Sequence, residues 1–314
     1  MDYLEIVGGI ILLIISGRLL VKGGVEIAAR FKISNLVVGM TVVAFGTSAP
    51  ELIVSISAAF KGSPEIALGN VIGSNISNMA LVLAITGLII PIPVQRDTVR
   101  YDWKIMMVSF ILLALFMSND TISRLEGIIL FTLLIVYIWW EIYHSKKVNK
   151  QAAEDFPEPT MSVWLAVLYI ALASAGLAFG ADWLVDGAVS VARKLNVSER
   201  IISITIVAIG TSLPELTASL VAAFKGKTDI SVGNIIGSNV FNIFSIVGLT
   251  AIIHPMHFNH TPFMVDLIAM ALIGILLYLF IYPFRSIYIT RDESAWLLVA
   301  YLAYIAFILN FKMA

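Results

Sequence analysis

The chain has 314 residues, of which 59% are hydrophobic and 13% charged, with a formal net charge of −1 and no cysteine; an ordinary soluble domain carries about 25% charged residues. This composition, with a mean hydropathy of +0.94, excludes a soluble globular protein, and the missing cysteines exclude disulfides and thiolate metal centres while leaving the redox compartment open. The near-neutral balance gives no sign of a nucleic-acid partner; the surroundings it calls for are a lipid bilayer.

Crossing a hydrocarbon layer about 30 Å thick takes about 20 largely apolar residues per helix. In chain order, the apolar runs predict spans at residues 4–22, 37–61, 66–91, 105–118, 124–144, 162–185, 201–224, 230–253, 263–282 and 294–311. The chain thus reads as an all-α polytopic membrane protein, a single membrane domain over 1–314 with ten transmembrane helices. Runs apolar throughout exclude a barrel, whose strands alternate with period two. The first span follows MDYLE, which lacks a basic n-region, so it is expected to stay rather than be removed as a leader. The second carries GTSAPELIVSISAAFKG (46–62). The third opens with Glu65, an acid suited to a helix N-terminus, and continues GNVIGSNISN (69–78). The fifth ends in YIWWEIYH (137–144), an interfacial aromatic belt, before the polar linker HSKKVNKQAAEDFPEP (144–159). The seventh carries GTSLPELTASLVAAFKG (210–226), and the eighth opens with Asp229 and continues GNIIGSNVFN (233–242). His254, His257 and His260 follow in HPMHFNH at spacings irregular for a helix, so a solvated loop is preferred there over a metal site.

A shift of 164 residues lays Gly46 on Gly210 and runs without a gap to Pro91 and Pro255, with 20 of the 33 positions from 46 to 78 identical. LLVKGGVEIAARF from Leu19 pairs more weakly with WLVDGAVSVARKL from Trp183. The halves 1–143 and 160–314 therefore repeat one another around the 144–159 linker. Five spans per half is odd, so the second half enters the membrane from the other side. Two inverted five-helix repeats are the architecture of secondary transporters, with the site near the midplane. An outside N-terminus places Lys22, Arg30, Lys32, Arg96, Arg100, Lys104, Lys146, Lys147, Lys150, Lys225, Lys227, Arg285 and Arg291 in the cytoplasm. The other side then holds Lys61, Arg124, Arg193, Lys194, Arg200 and Lys312. Thirteen against six favours the N-terminus outside and the linker in the cytoplasm of a cell-membrane protein. No oligomeric state follows; a monomer is compatible with the sequence.

The repeated segments carry the chemistry. Pro50 and Pro214 lack an N–H and clash with the carbonyls of Gly46 and Gly210, and they push Ala49 and Leu213 out of helical geometry. A helix break near Gly-Thr-Ser is expected in both halves, freeing carbonyls around Ala44, Thr47, Ala208 and Thr211. Glu51 and Glu215 sit mid-span, where a charge costs roughly 3 kcal/mol on insertion scales and marks function. No Lys or Arg lies between 33 and 60 or between 201 and 224. Asn70, Ser74 and Asn78, and again Asn234, Ser238 and Asn242, fall every four residues and form one polar stripe per helix. Gly69, Gly73, Gly233 and Gly237 form small-residue patches suited to close helix approach. Carbonyl, hydroxyl, amide and carboxylate oxygens are the ligand set of hard cations such as Na+ and Ca2+. Two carboxylates are neutralised by one Ca2+ or two Na+, and a third Na+ would make exchange electrogenic; protons could take the place of Na+.

GTSAPEL with GSNISN, and GTSLPEL with GSNVFN, resemble the paired α-repeats of the calcium/cation antiporter superfamily, in its sodium/calcium exchanger branch of prokaryotic type. The resemblance covers nearly the whole chain. It implies ten helices, with two, three, seven and eight enclosing a cluster of four ion sites. It implies Glu51 and Glu215 as central ligands shared by Ca2+ and Na+, and Thr47 and Thr211 as sources of backbone and side-chain oxygens. Ser74 with the Ala44 carbonyl, and Ser238 with the Ala208 carbonyl, would complete two outlying Na+ sites. Ser48 and Ser212 would lie beside them, and Asn78 and Asn242 would face the middle. Asparagine at 242, where potassium-dependent relatives carry aspartate, implies independence from K+. The expectation is Na+/Ca2+ antiport by alternating access, with no enzyme activity and no cofactor beyond the transported ions, and with the first helix of each half as the moving gate. Ca2+/H+ exchange on the same residues is the alternative, and a passive cation channel is a more distant one. An intramembrane enzyme would need a nucleophile and base, or a histidine metal set within the spans, and neither is present.

Overall fold

In the computed structural model, residues 2–95, 98–152, 158–195, 208–282 and 288–311 are described. They form helices α1 (Asp2–Phe31), α2 (Asn35–Phe60), α3 (Pro64–Ile89), α4 (Trp103–Met117), α5 (Arg124–Ala152), α6 (Val163–Lys194), α7 (Leu213–Phe224), α8 (Thr228–Ile253), α9 (Met264–Ile281) and α10 (Arg291–Phe311). Eight of these regions are long and apolar enough to cross a membrane. The fourth and seventh expected spans are shorter among the described residues: α4 has 15 residues and α7 has 12. The turn ahead of α4, Thr98–Asp102, is wound as π-helix. Residues 201–207 of the seventh expected span lie outside the described residues, as do linker residues 153–157 and Arg96, Arg200, Arg285 and Lys312. The outer surface is apolar: Ile111, Leu272 and Leu279 are 63%, 60% and 66% exposed. In water such a surface would drive association; in lipid it is the solvent-facing side. The chain is an integral, multi-pass membrane protein.

Several helices outrun their apolar cores. The first and sixth expected spans, 4–22 and 162–185, extend to Asp2–Phe31 and Val163–Lys194, about 45 Å each at 1.5 Å per residue. The linker expected at 144–159 begins as helix, because α5 continues to Ala152. Its Lys, Gln and Ala are good helix formers, and no Gly or Pro interrupts before Pro157. The helix ends are set by backbone geometry. Lys32 adopts φ 54° beyond α1, and the Ile33 N–H reaches the Ala28 carbonyl at 3.1 Å. The repeated Phe-Lys-Gly closes α2 and α7 alike: Gly62 and Gly226 take φ 72° and 68°. The following N–H groups of Ser63 and Lys227 then bond back to Ala58 (2.9 Å) and Ala222 (2.8 Å), which is the Schellman closure that glycine favours. Glu65 and Asp229 sit in the first turns of α3 and α8.

Two features organise the packing. First, α1 and α6 pair along their length through glycines: a Cβ on Gly9 would lie 2.7 Å from the Gly180 carbonyl, and one on Gly187 would lie 2.7 Å from the Asp2 carbonyl. One end of the pair is closed by the Lys194–Asp2 ion pair. At the other, Thr160 donates through its hydroxyl and its N–H to Glu26. Beneath this pair lies its own apolar cluster, with Leu20, Val43, Leu177, Ala218 and Ala222, separate from the larger core that joins the other helices. Second, α8 lies backbone to backbone on the start of α2: a Cβ on Gly233 would meet Met40 N at 2.9 Å, and one on Gly237 would meet the Met40 carbonyl carbon at 2.8 Å. The small-residue patch of the second half is thus in use. The repeat equivalents of 36–40, which Gly69 and Gly73 would meet by the same shift, lie outside the described residues.

Short strands tie the loops of one half to the other. β1 (Ile92–Pro93) pairs with β4 (Tyr288–Ile289), and β2 (Thr121–Ile122) pairs with β3 (Met256–His257). Among the described residues these two clasps are the only strands in a helical fold. The histidine loop belongs to the second clasp. Asp120 accepts from the His260 N–H (2.7 Å) and meets its Nδ1 (2.8 Å), while His257 Nδ1 meets Thr121 Oγ1 at 3.2 Å. The N–H and ring of His260 hold the exposed Asp120 carboxyl below the usual range.

Gly237→Leu should drive a side chain into the Met40 backbone and lower the melting temperature of the detergent-solubilised protein, at an overpacking cost of about 1–3 kcal/mol. Equal melting of wild type and variant would show that α8 does not rely on this approach.

Candidate cation-binding site

The site lies where α2 and α3 meet α7 and α8. The expected helix break occurs in one half only. Pro50 is inside an unbroken helix, Ala44–Phe60, and Ala49 stays helical; the irregularity is displaced one turn earlier, to a π-turn at Gly39–Val43. In the second half the helix stops at Gly210 and restarts at Leu213, leaving Thr211 and Ser212 as the break and Pro214 in the new first turn, where its missing N–H costs nothing. Further π-turns begin at Asn78 in α3 and Asn242 in α8. Such turns leave carbonyls without their regular partners and recur at functional sites. The sequence reading did not foresee them. The one available signal is that both start at the last residue of GSNISN and GSNVFN.

Glu51 and Glu215 are 3% and 1% exposed and lie near enough to feel each other's charge. Ser48 Oγ donates to Glu215 Oε1 at 3.3 Å. Among the described residues neither acid has a basic partner. Both carboxylate oxygens of Glu51, Oε2 of Glu215, Ser74 Oγ, both amide atoms of Asn78 and Oδ1 of Asn242 are buried without a hydrogen-bond partner. Buried polar groups are nearly always satisfied, and this concentration of orphaned oxygens around two carboxylates is the pattern a cation completes.

The remaining polar groups hold the helices in register. Asn70 Nδ2 donates to Ser55 Oγ (3.1 Å) and the Glu51 carbonyl (3.4 Å); Asn234 Nδ2 does the same to Ser219 Oγ (3.1 Å) and the Glu215 carbonyl (3.4 Å). The first asparagine of each stripe therefore holds the glutamate helix of its own half. Cross-half bonds lock the centre: Asn242 Nδ2 donates to Asn75 Oδ1 (3.0 Å), and Ser212 Oγ to Ser77 Oγ (2.8 Å). Thr47 Oγ1 lies 3.2 Å from the Ala44 carbonyl, 3.1 Å from Asn234 Oδ1 and 3.4 Å from Ser238 Oγ. The hydrogen bonds thus join the Ala44 carbonyl and Thr47 to Ser238 of the other half, whereas the sequence reading grouped Ala44 with Ser74. Ala208 opens the short turn before the break, and Thr211 lines a cavity. That cavity, of about 270 Å³, also touches Glu51, Asn70, Pro214, Asp182 and Asp186. Ser55, Ser219, Asn75 and Ser77 were not singled out from sequence. All but Ser77 could have been, since Ser55 recurs as Ser219 and Asn75 as Asn239 at the same places in the two copies.

Helices of membrane-spanning length around a buried cluster of carboxylates, amides and hydroxyls define a polytopic membrane protein built to hold cations. The chain belongs to the sodium/calcium exchanger protein family, whose profile matches residues 3–143 and 165–310. It is similar to the sodium/calcium exchanger MaX1 of Methanosarcina acetivorans, 28% identical with 97% of each chain covered. It is also similar to the membrane protein MJ0091 of Methanocaldococcus jannaschii, 34% identical with 87% of each covered. Among solved structures it matches the sodium-calcium exchanger NCX_Mj soaked without Na+ and Ca2+, with a TM-score of 0.80 and 31% identity over 98% of each chain.

Asn234→Leu should cost about 1–3 kcal/mol, the penalty for stranding buried partners, and Asn70→Leu less, because Asn70 is only half-buried and water can replace its bonds. Melting of the two variants side by side checks this; an equal loss would contradict the ordering.

Proposed function

We infer that the protein exchanges Na+ for Ca2+ across the membrane by alternating access. The observation that carries this reading is the pair of neighbouring buried carboxylates, Glu51 and Glu215, with no basic partner among the described residues and a shell of unsatisfied oxygens. A hard cation satisfies such a shell; a helix-packing role leaves it unexplained. Family membership gives the cargo, since MaX1 and NCX_Mj carry that activity in their names.

In detail, the proposal has ten transmembrane helices in two inverted repeats, with the N-terminus outside the cell. The clasps β1–β4 and β2–β3 support the inversion, because each joins the loop after the third helix of one half to the loop after the fourth helix of the other, and those two loops lie on opposite faces within a half. Glu51 and Glu215 are the shared ligands. Thr47, Thr211, Ser74, Ser238, Asn78, Asn242 and the Ala44 and Ala208 carbonyls complete the sites, and Ser48 and Ser212 position their neighbours. The site charge of −2 is matched by one Ca2+, so returning three Na+ moves net charge and the cycle is electrogenic. With asparagine at 242 no further acid calls for K+. The α1–α6 pair is the moving gate, since it rests on a separate apolar cluster and contributes no ligand. An empty site with two charges crosses the gating transition poorly, which couples the two fluxes.

Reconstituted into proteoliposomes, the protein should take up Ca2+ when an outward Na+ gradient is imposed, faster with the interior negative-going potential clamped away by valinomycin and K+. Uptake driven by a pH gradient and indifferent to Na+ would overturn Na+ as the counter-ion. Glu51→Gln and Glu215→Gln should each abolish exchange; a variant that still transports Ca2+ removes that residue from the central site. Asn242→Asp adds a charge and should alter cation affinity or Na+ dependence, and unchanged Ca2+ and Na+ titrations would place residue 242 away from the ions.

A further inference from the structure

The repeat that makes the two halves alike is reversed in sign at one place. On α6, Asp182 and Asp186 are spaced one helical turn apart; the residues 164 positions earlier on α1 are Arg18 and Lys22. Both acids are exposed to the cavity that reaches Glu51. Among the described residues neither has an ion-pair partner. At the far end of that cavity Glu51 is 3% exposed, with both carboxylate oxygens unpartnered. Carboxylates at the mouth and an unsatisfied carboxylate at the base form a descending path for a cation. On the α1 side the corresponding groove is filled: a Cβ on Gly17 would meet Thr217 Cγ2 at 3.0 Å and Val221 Cγ2 at 3.2 Å. There Lys225 Nζ donates to the Arg18 carbonyl at 3.2 Å, so that face gathers positive charge. Lys61 and Lys225 are repeat equivalents of the same sign, so the difference between the two faces comes from the gate-helix pairs.

We propose that Asp182 and Asp186 form a peripheral cation-recruitment site at the mouth of the access cavity, and that the mirror-related Arg18 and Lys22 make the opposite access route repel cations. The inference rests on the exchange reading above. A charged cleft raises the local concentration of its counter-ion and the on-rate by tenfold or more, an effect that salt removes over about 10 Å at 0.1 M. The station changes rates and apparent affinities only: the equilibrium between the gradients is fixed by the ions exchanged, whatever lines the route. Divalent Ca2+ gains more than Na+ from two carboxylates, so the face carrying Asp182 and Asp186 is the one on which Ca2+ is captured from dilute solution.

The test uses the full-length protein and Asp182→Asn/Asp186→Asn. In proteoliposomes at low ionic strength, KM for Ca2+ on the face of Asp182 should rise about three- to tenfold, with the change confined to KM and erased by 0.5 M choline chloride. Arg18→Gln/Lys22→Gln should lower KM on the opposite face. Wild-type transport reports separately on the exchange reading. A wild type that transports beside a double variant of equal KM overturns the recruitment site. A second measurement is independent of transport. In the Glu51→Gln/Glu215→Gln background, Tb3+ luminescence sensitised by Trp183, the neighbour of Asp182, should persist and should disappear on adding the two Asp→Asn changes. Luminescence unaffected by those changes also overturns the proposal.

Discussion

Two carboxylates share a site in which helix packing and the neighbouring backbone leave them almost no exposure and, among the described residues, no basic partner. Inside a protein the repulsion between like charges is several-fold larger than in water, and a carboxylate left without a partner there is among the most costly groups to bury. Everything around Glu51 and Glu215 answers to that constraint. Asn70 and Asn234 hold the glutamate helices by their backbones, Ser48 reaches across to Glu215, and Asn242 spans to Asn75. None of these groups neutralises the charge. The architecture fixes the acids in place and leaves the balancing of their charge to something that comes and goes.

The same constraint explains why backbone irregularity is concentrated here. A regular helix offers no free carbonyl to an ion, and an open loop cannot be exposed to lipid. The chain uses π-turns at Gly39, Asn78 and Asn242, together with one true interruption at Thr211 and Ser212. Each frees backbone oxygens while keeping the segment helical on either side. The interruption sits on one half only, so the halves of this molecule, though close in sequence, occupy different local geometries.

Much of this was legible in the sequence, for identifiable reasons. Apolar length marks a membrane helix directly, so α1, α2, α3, α5, α6, α8, α9 and α10 fall where the hydropathy puts them. Glutamate after proline in an apolar run, twice, could be read as a site because burial makes it costly unless used. The helix ends beyond the apolar runs were less legible: Glu26, Arg30, Arg193 and Lys194 are polar yet helical, since polarity reports on depth and not on backbone shape. The role of Pro50 was misread because a proline's effect depends on whether the helix can move its irregularity elsewhere, and α2 moves it to Gly39. Cross-half bonds such as Ser212 to Ser77 join positions that no local pattern relates.

The two small strand pairs carry a larger implication than their size suggests. Because β1 is sewn to β4 and β2 to β3, the helices flanking those loops are stapled from one half to the other at two places. A frame braced in this way resists the seesaw of one half against the other by which many carriers expose their cargo. Neither clasp touches α1 or α6, two helices that are longer than the oily layer is thick and that rest on an apolar cluster of their own; in the proposed cycle this pair is the piece that moves. A helix longer than the layer it crosses adjusts its tilt to bilayer thickness, so in that cycle the surrounding lipid becomes a mechanical element of the transporter.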